Sequence, residues 1–143
     1  MHLLAKIRME LNGYNNNKQL TKFEVRNVHE LSIMESVMNI VRENAVQSNI
    51  GKVNKLKLVI GKLSSVLPDS LQFCFQVLNQ EEFFRDAVLE IEEREIAIKC
   101  AKCEQHFTLE DAYCFLCPGC GAIEVEIVSG REMYLDYYEG EEN

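Results

Sequence analysis

Apolar residues recur with two different periods from Leu31 onward, and each change of period marks a change of element. In LSIMESVMNIVRENAV, the residues Ile33, Val37, Ile40 and Val41 form one helical stripe, widened by Met34, Met38 and Ala45. Ser32 followed by Glu35 is a capping box, so the spacing predicts a helix that begins near Ser32 and ends between Gln47 and Gly51. The period then falls to two. In VNKLKLVIG, Leu56, Leu58 and Ile60 alternate with Lys55, Lys57 and Val59, the pattern of a strand with one core face. After a turn over Gly61–Pro68, PDSLQFCFQVLNQEEFF sets Leu71, Cys74, Phe75 and Leu78 at helical spacing. A second strand is predicted over Ala87–Ile98, with Leu89, Ile91 and Glu93 opposite Val88, Glu90 and Glu92. REMYLDYY supplies a third, with Met133, Leu135 and Tyr137 opposite Tyr134, Asp136 and Tyr138. The class implied is α+β, with two helices packed on a three-stranded sheet.

Charge narrows the partners. The chain carries 15 Lys and Arg against 23 Asp and Glu, a formal −8, and its bases form no block or stripe. Binding to nucleic acid, or to an acidic membrane surface, is therefore disfavoured. No apolar run approaches the length of a membrane span, and Met1–Lys22 lacks a secretory signal, so a cytoplasmic location is expected. The charge is also uneven. Residues 1–27 carry five bases and two acids, and the run Asn15, Asn16, Asn17 beside Gly13 favours turn over packing. That segment reads as a disordered leader, and residues 140–143 read as an acidic tail.

The cysteines carry the strongest chemical signal. Cys100 and Cys103, then Cys117 and Cys120, form two CxxC pairs separated by 13 residues. Two such knuckles can meet around one ion, and four thiolates in a closed tetrahedron suit structural zinc. Gly119 and Gly121 let the second knuckle turn tightly. The segment 100–128 has too few large apolar residues for a core of its own, so bound metal must supply much of its folding free energy. A disulfide framework, a redox CxxC and an iron site are the competing uses of these thiols. Cys114 and His106 are nearby alternates for the ligand set, or a spare thiol and a surface imidazole. Cys74 falls on the apolar stripe of the second helix and reads as a small buried side chain. His29-Glu30, just before the first predicted helix, places an imidazole beside a carboxylate, a donor pair for a borderline transition ion or a helix cap.

Val28-His29-Glu30-Leu31-Ser32-Ile33-Met34-Glu35-Ser36 resembles the amino-terminal signature of the HypA/HybF family, nickel metallochaperones of [NiFe]-hydrogenase maturation. The resemblance continues through Leu58–Gly61, Leu71–Phe75, both CxxC pairs and Ser129-Gly130-Arg131-Glu132, and so spans residues 28 to about 139. It implies a nickel-binding domain of residues 28–99 and 129–139, interrupted by a zinc domain of residues 100–128. It implies structural zinc on Cys100, Cys103, Cys117 and Cys120, and transferable nickel on His29 and Glu30. It also implies delivery without catalysis, with a Hyp-type nickel GTPase and the hydrogenase large subunit as partners, homodimers in some members, and urease maturation in others.

The resemblance departs at the nickel site. The family motif starts with Met-His-Glu at a free terminus, where the amine helps to hold nickel, whereas Val28 stands inside this chain. Three expectations follow: translation from a GTG codon at Val28, a leader that weakens nickel binding, or a leader removed by proteolysis. Without the resemblance, a zinc-ribbon adaptor that binds proteins and carries no nickel ranks first. A hydrolytic zinc enzyme ranks below both, because no three-ligand site with a neighbouring general base is apparent.

Overall fold

The computed structural model describes residues 2–5, 9–10, 24–109 and 115–143, with side chains described from Glu30 onward. Its first helix, α1, spans Glu24–Gln47 and runs through Ser32. The capping box predicted there therefore does not start the helix: nothing from Glu24 to Leu31 breaks it, with neither Gly nor Pro in the stretch. The predicted end holds. Ser48 N–H donates to Asn44 O at 3.0 Å, and Asn49 takes the left-handed φ of 58° that ends helices.

Strand β3, Ile50–Gly61, is an inner strand of the larger sheet. It pairs antiparallel with β8, Met133–Glu142, and parallel with β4, Val88–Arg94. A parallel pair needs a crossover, and helix α2, Pro68–Leu78, supplies it between β3 and β4. Leu56, Leu58 and Ile60 of β3 bury against Met34, Val37, Met38 and Val41 of α1 and Leu71 and Phe75 of α2, as the alternation predicts. Tyr138 closes the core with its hydroxyl donating to Asn44 Oδ1 at 2.5 Å. Helix α2 ends at Leu78, the last residue of the predicted stripe, with Asn79 N–H donating to Phe75 O at 2.9 Å. Val59 departs from the alternation: it lies on the other face yet is fully buried, flanked by Tyr134 of β8 and Glu92 of β4.

Further boundaries depart from the sequence reading. Within residues 1–27, β1, His2–Ala5, and β2, Met9–Glu10, pair antiparallel along β8, which would otherwise present a free edge, and the rest of the expected leader up to residue 23 lies outside the described residues. Residues 140–143 are not a free tail, since β8 continues to Glu142, with Glu141 opposite Lys52. Gly140 is buried there because a Cβ would come within 2.5 Å of Ile50 Cγ2. The strand predicted over Ala87–Ile98 divides at Glu95, where the charged run Glu93-Arg94-Glu95 leaves no apolar face to continue. Its second part, β5, Ile96–Cys100, belongs to a separate sheet with β6, His106–Leu109, and β7, Val125–Ser129. The cysteine insert thus spans Ile96–Ser129, slightly more than residues 100–128, and Ile96 and Ile98 bury on it.

The chain crosses between the sheets twice, at Glu95 and at Gly130, and both crossings are bonded to the turn after β3. Gly61 N–H donates to Glu132 O and Leu63 N–H to Gly130 O, each at 2.7 Å. Lys62 N–H donates to Arg94 O at 3.0 Å, while its ammonium pairs with Glu95 at 2.7 Å. Ser129 Oγ donates to Glu95 O at 2.8 Å, and the Glu132 carboxylate accepts from Gly130 N–H at 2.9 Å. A Cβ on Gly61 would lie 2.1 Å from Gly130 O. Gly130 itself has φ of +117°, and a Cβ there would stand 3.2 Å from Ile96 Cα. Gly130→Ala is therefore expected to destabilise the fold by about 2 kcal/mol through backbone strain alone. Chemical denaturation checks this, and an unchanged midpoint would refute the role given to the junction.

Candidate functional site

The two CxxC segments fold alike. Cys100 N–H donates to Gln105 O and Glu104 N–H to Cys100 O, both at 3.0 Å. Five-residue and four-residue steps recur in the second knuckle, where Cys117 N–H donates to Ala122 O at 3.0 Å and Gly121 N–H to Cys117 O at 2.8 Å. Matching positions take the left-handed conformation, Glu104 with φ of 60° and Gly121 with φ of 75°. Gly121 follows from the sequence reading, since glycine adopts that region without a Cβ penalty. Glu104 does not, because no residue-type signal marks it. At Gly119 the space for a Cβ is nearly taken, 3.1 Å from Phe107 Cζ and 3.8 Å from Cys117 Sγ.

One strand end and the two knuckle turns bring the thiols together. Cys100 ends β5 and is fully buried, Cys117 is 2% exposed, and Cys103 and Cys120 are open to solvent. All four Sγ atoms lie within 4.8 Å of one another, with Cys100 to Cys120 at 3.5 Å and Cys103 to Cys117 at 3.6 Å. Bonds of about 2.3 Å to a central tetrahedral ion require sulfur separations of about 3.8 Å. The donor set therefore has the spacing of a four-thiolate metal site, and all four cysteines singled out by the sequence are in it. His106 is exposed on β6 and stands outside this set, while Cys114 lies outside the described residues.

Electrostatics divide the thiols into two lowered from the ordinary value and two raised above it. The Cys103 amide, followed by the amide of Lys102 and the neighbouring thiols, brings Cys100 down to about 6 despite burial. Cys117 is also lowered: burial opposes this, but the amides of Cys120 and Gly119 outweigh it. For Cys103 the Gln105 amide favours the thiolate, yet burial and the thiols of Cys100, Cys117 and Cys120 push it up to about 12. Cys120 is raised as well, with the Ala122 amide opposing and the Cys100 and Cys117 thiols prevailing. Four sulfurs this close cannot all carry charge unless a cation joins them.

The second expected site lies at the start of the other domain. His29 and Glu30 are in the early turns of α1, so their backbone nitrogens belong to the helix ladder and not to a free terminus. The His29 side chain lies outside the described side chains. Glu30 is the buried charged residue among those described, 4% exposed. Its Oε1 accepts from Leu67 N–H, at the N-cap of α2, at 3.4 Å, while Oε2 has no partner among the described residues. The carboxylate lines a cleft of about 470 Å³ between the two helices, together with Leu31, Asp69, Phe73, Cys74 and Val77. Cys74 is buried as expected, and burial, then the Glu30 charge, raises its thiol above the ordinary value. A carboxylate oxygen buried without a donor is an acceptor with unused bonding capacity.

A four-thiolate insert on a two-helix α+β domain defines a metal-binding class of protein. The profile of the HypA family, described as hydrogenase/urease nickel incorporation, metallochaperone, matches residues 28–140, and the chain belongs to that family. The hydrogenase maturation factor HypA of Moorella thermoacetica is 41% identical over 114 residues, covering 80% of this chain and all of that protein. That of Nostoc is 38% identical over 115 residues, covering 80% and 97%. The solution structure of the Ni metallochaperone HypA from Helicobacter pylori shares the fold, with a TM-score of 0.54 at 23% identity over 80% of this chain and 98% of that one. Among the described residues, no helix is long and apolar enough to cross a membrane.

The knuckle symmetry makes a direct test. Glu104→Gly removes a Cβ from a left-handed position and should raise the stability of the metal-loaded insert by about 0.5–1 kcal/mol. Thermal unfolding of the loaded protein reads it, and a fall in midpoint would contradict the strain assigned to Glu104.

Proposed function

We propose that this protein is a cytoplasmic metallochaperone that binds Ni(II) and delivers it during [NiFe]-hydrogenase maturation, with zinc held permanently by Cys100, Cys103, Cys117 and Cys120. The family match across residues 28–140 is the observation that carries this reading. Its mechanism is ligand exchange with no covalent substrate chemistry. The thiolate set is complete at four donors, so an ion bound there keeps no open position and serves the shape of the insert. Nickel favours nitrogen and oxygen donors in square-planar or octahedral sites, and His29 with Glu30 offers that chemistry on the other domain. The Glu30 oxygen that lacks a partner is free to take a metal bond without breaking the Leu67 hydrogen bond. Discrimination between the two metals thus follows from donor type, and delivery requires only that the less complete site be approached by a competing protein. The recipients in this reading are a Hyp-type nickel GTPase and the hydrogenase large subunit, with urease maturation as a second outlet.

Two expectations test the assignments. Purified protein should carry about one zinc per chain, and Cys103→Ala should lose zinc retention and loosen residues 96–129 while Cys74→Ala retains the metal. Full zinc occupancy in Cys103→Ala would remove the four-thiolate assignment. After the zinc site is filled, equilibrium dialysis near neutral pH should show one further nickel, lost in His29→Ala and weakened about tenfold or more in Glu30→Gln, with zinc unchanged. Protonation of imidazole competes with nickel, so binding should fall as pH drops below about 6.5. Equal nickel binding by wild type and His29→Ala would overturn the nickel site.

A further inference from the structure

The cleft between α1 and α2 contains a thiol for which the nickel reading has no use. Cys74 is 8% exposed, and it lines the same opening of about 470 Å³ as Glu30. A place on the apolar stripe of α2 accounts for a small side chain at this position, but not for a sulfur on the wall of an open cleft. The carboxylate is an independent observation. Glu30 is 4% exposed, its Oε1 is fixed by the Leu67 amide at 3.4 Å, and its Oε2 has no partner among the described residues. One wall therefore offers an unused oxygen and the other a sulfur, with Ser70 one turn before Cys74 adding a hydroxyl to the lining.

We propose that this cleft is a second metal site of the chain, for a thiophilic divalent cation of the zinc type, with Cys74 Sγ and Glu30 Oε2 as its protein donors. On binding, the S–H bond gives way to a sulfur–metal bond and the proton leaves to water. Thiolate and carboxylate together neutralise the dication, which either alone does not. Sulfur and carboxylate oxygen are both ordinary zinc donors, and two of them fill half of a tetrahedral shell and leave two positions to water. Leu31, Phe73 and Val77 supply an apolar surround in which the attraction is less screened. An ion held by two protein donors exchanges readily, unlike one closed among four thiolates, so it is lost on purification while the zinc of the insert stays. One consequence rests on the nickel-carrier reading. Glu30 serves both ions, so a zinc-type ion and nickel exclude one another from the cleft, and each weakens the other by linkage. Cys74 is the donor that only the zinc-type ion requires.

The experiment uses full-length protein carrying one zinc per chain and no nickel, titrated with Co(II), whose open d shell reports its ligands where zinc is silent. Wild type should take up one Co(II) with sulfur-to-cobalt charge-transfer absorption in the near ultraviolet, while the zinc content stays at one per chain. Cys74→Ser and Cys74→Ala should each abolish that absorption and lower Co(II) affinity tenfold or more, with circular dichroism and zinc content unchanged. Glu30→Gln, which keeps the thiol, should weaken Co(II) binding by a similar factor. Nickel affinity should fall in Glu30→Gln and hold in Cys74→Ser, and added Zn(II) should weaken nickel binding at least tenfold more in wild type than in Cys74→Ser. Charge-transfer absorption that persists in Cys74→Ser, or cobalt bound without it, would overturn the proposal. So would release of zinc in step with cobalt uptake, which assigns the absorption to the four-thiolate site. Loss of the absorption while nickel still binds removes this site alone; a Cys74-dependent absorption in a protein that binds no nickel supports the site and removes the carrier reading.

Discussion

The close approach of Gly61 to Gly130 is the constraint on which the remaining geometry depends. A Cβ at residue 61 would come within 2.1 Å of the Gly130 carbonyl, so the turn after β3 and the return crossing from the insert share space that only bare backbone can occupy. From that contact the chain diverges in two functional directions. One way, residues 62–67 lead into α2 and place the Leu67 amide where Glu30 accepts from it. The other way, Glu95 and Gly130 set the two strands, β5 and β7, that frame the first knuckle. The same junction thus positions the thiolate insert and the acidic cleft.

The four-thiolate site and the cleft proposed for nickel differ in completeness as well as in donor type. In the insert, four sulfurs converge and both knuckles turn their amides inward, as the Cys103 amide on Cys100 Sγ at 3.5 Å shows. Such outer bonds fix the ligands and favour their thiolate forms. In the cleft, one carboxylate is half satisfied and stands against a partly apolar wall. A closed site retains its ion and an incomplete one releases it. Under the proposed function, a division of labour between resident zinc and transferable nickel would need no conformational switch beyond this difference.

The sequence disclosed the elements better than their limits. Leu56, Leu58 and Ile60 were legible because a sheet with helices on one face imposes a period of two, and Leu71, Cys74 and Phe75 because α2 imposes a helical one. Val59 escaped the pattern because its burial comes from cross-strand neighbours, which no local period records. Ser32 and Glu35 have the form of a capping box, but a capping motif signals a helix start only where the preceding residues resist helix, and Glu24–Leu31 do not. The extension of β8 to Glu142 depends on pairing with a distant strand. The four cysteines were readable because metal chemistry fixes both residue type and spacing. Glu30 was readable as a candidate ligand, but its burial, its bond to Leu67 and the apolar rim around it arise from the packing of two helices far apart in the chain.

The central claim is that donor chemistry sorts two metals between two sites on one chain. X-ray absorption at both the zinc and nickel edges of the doubly loaded protein tests it most directly. The account predicts a zinc shell of four sulfurs at about 2.3 Å, and a nickel shell of nitrogen and oxygen with no sulfur. Sulfur around nickel, or nitrogen and oxygen replacing sulfur around zinc, would contradict it.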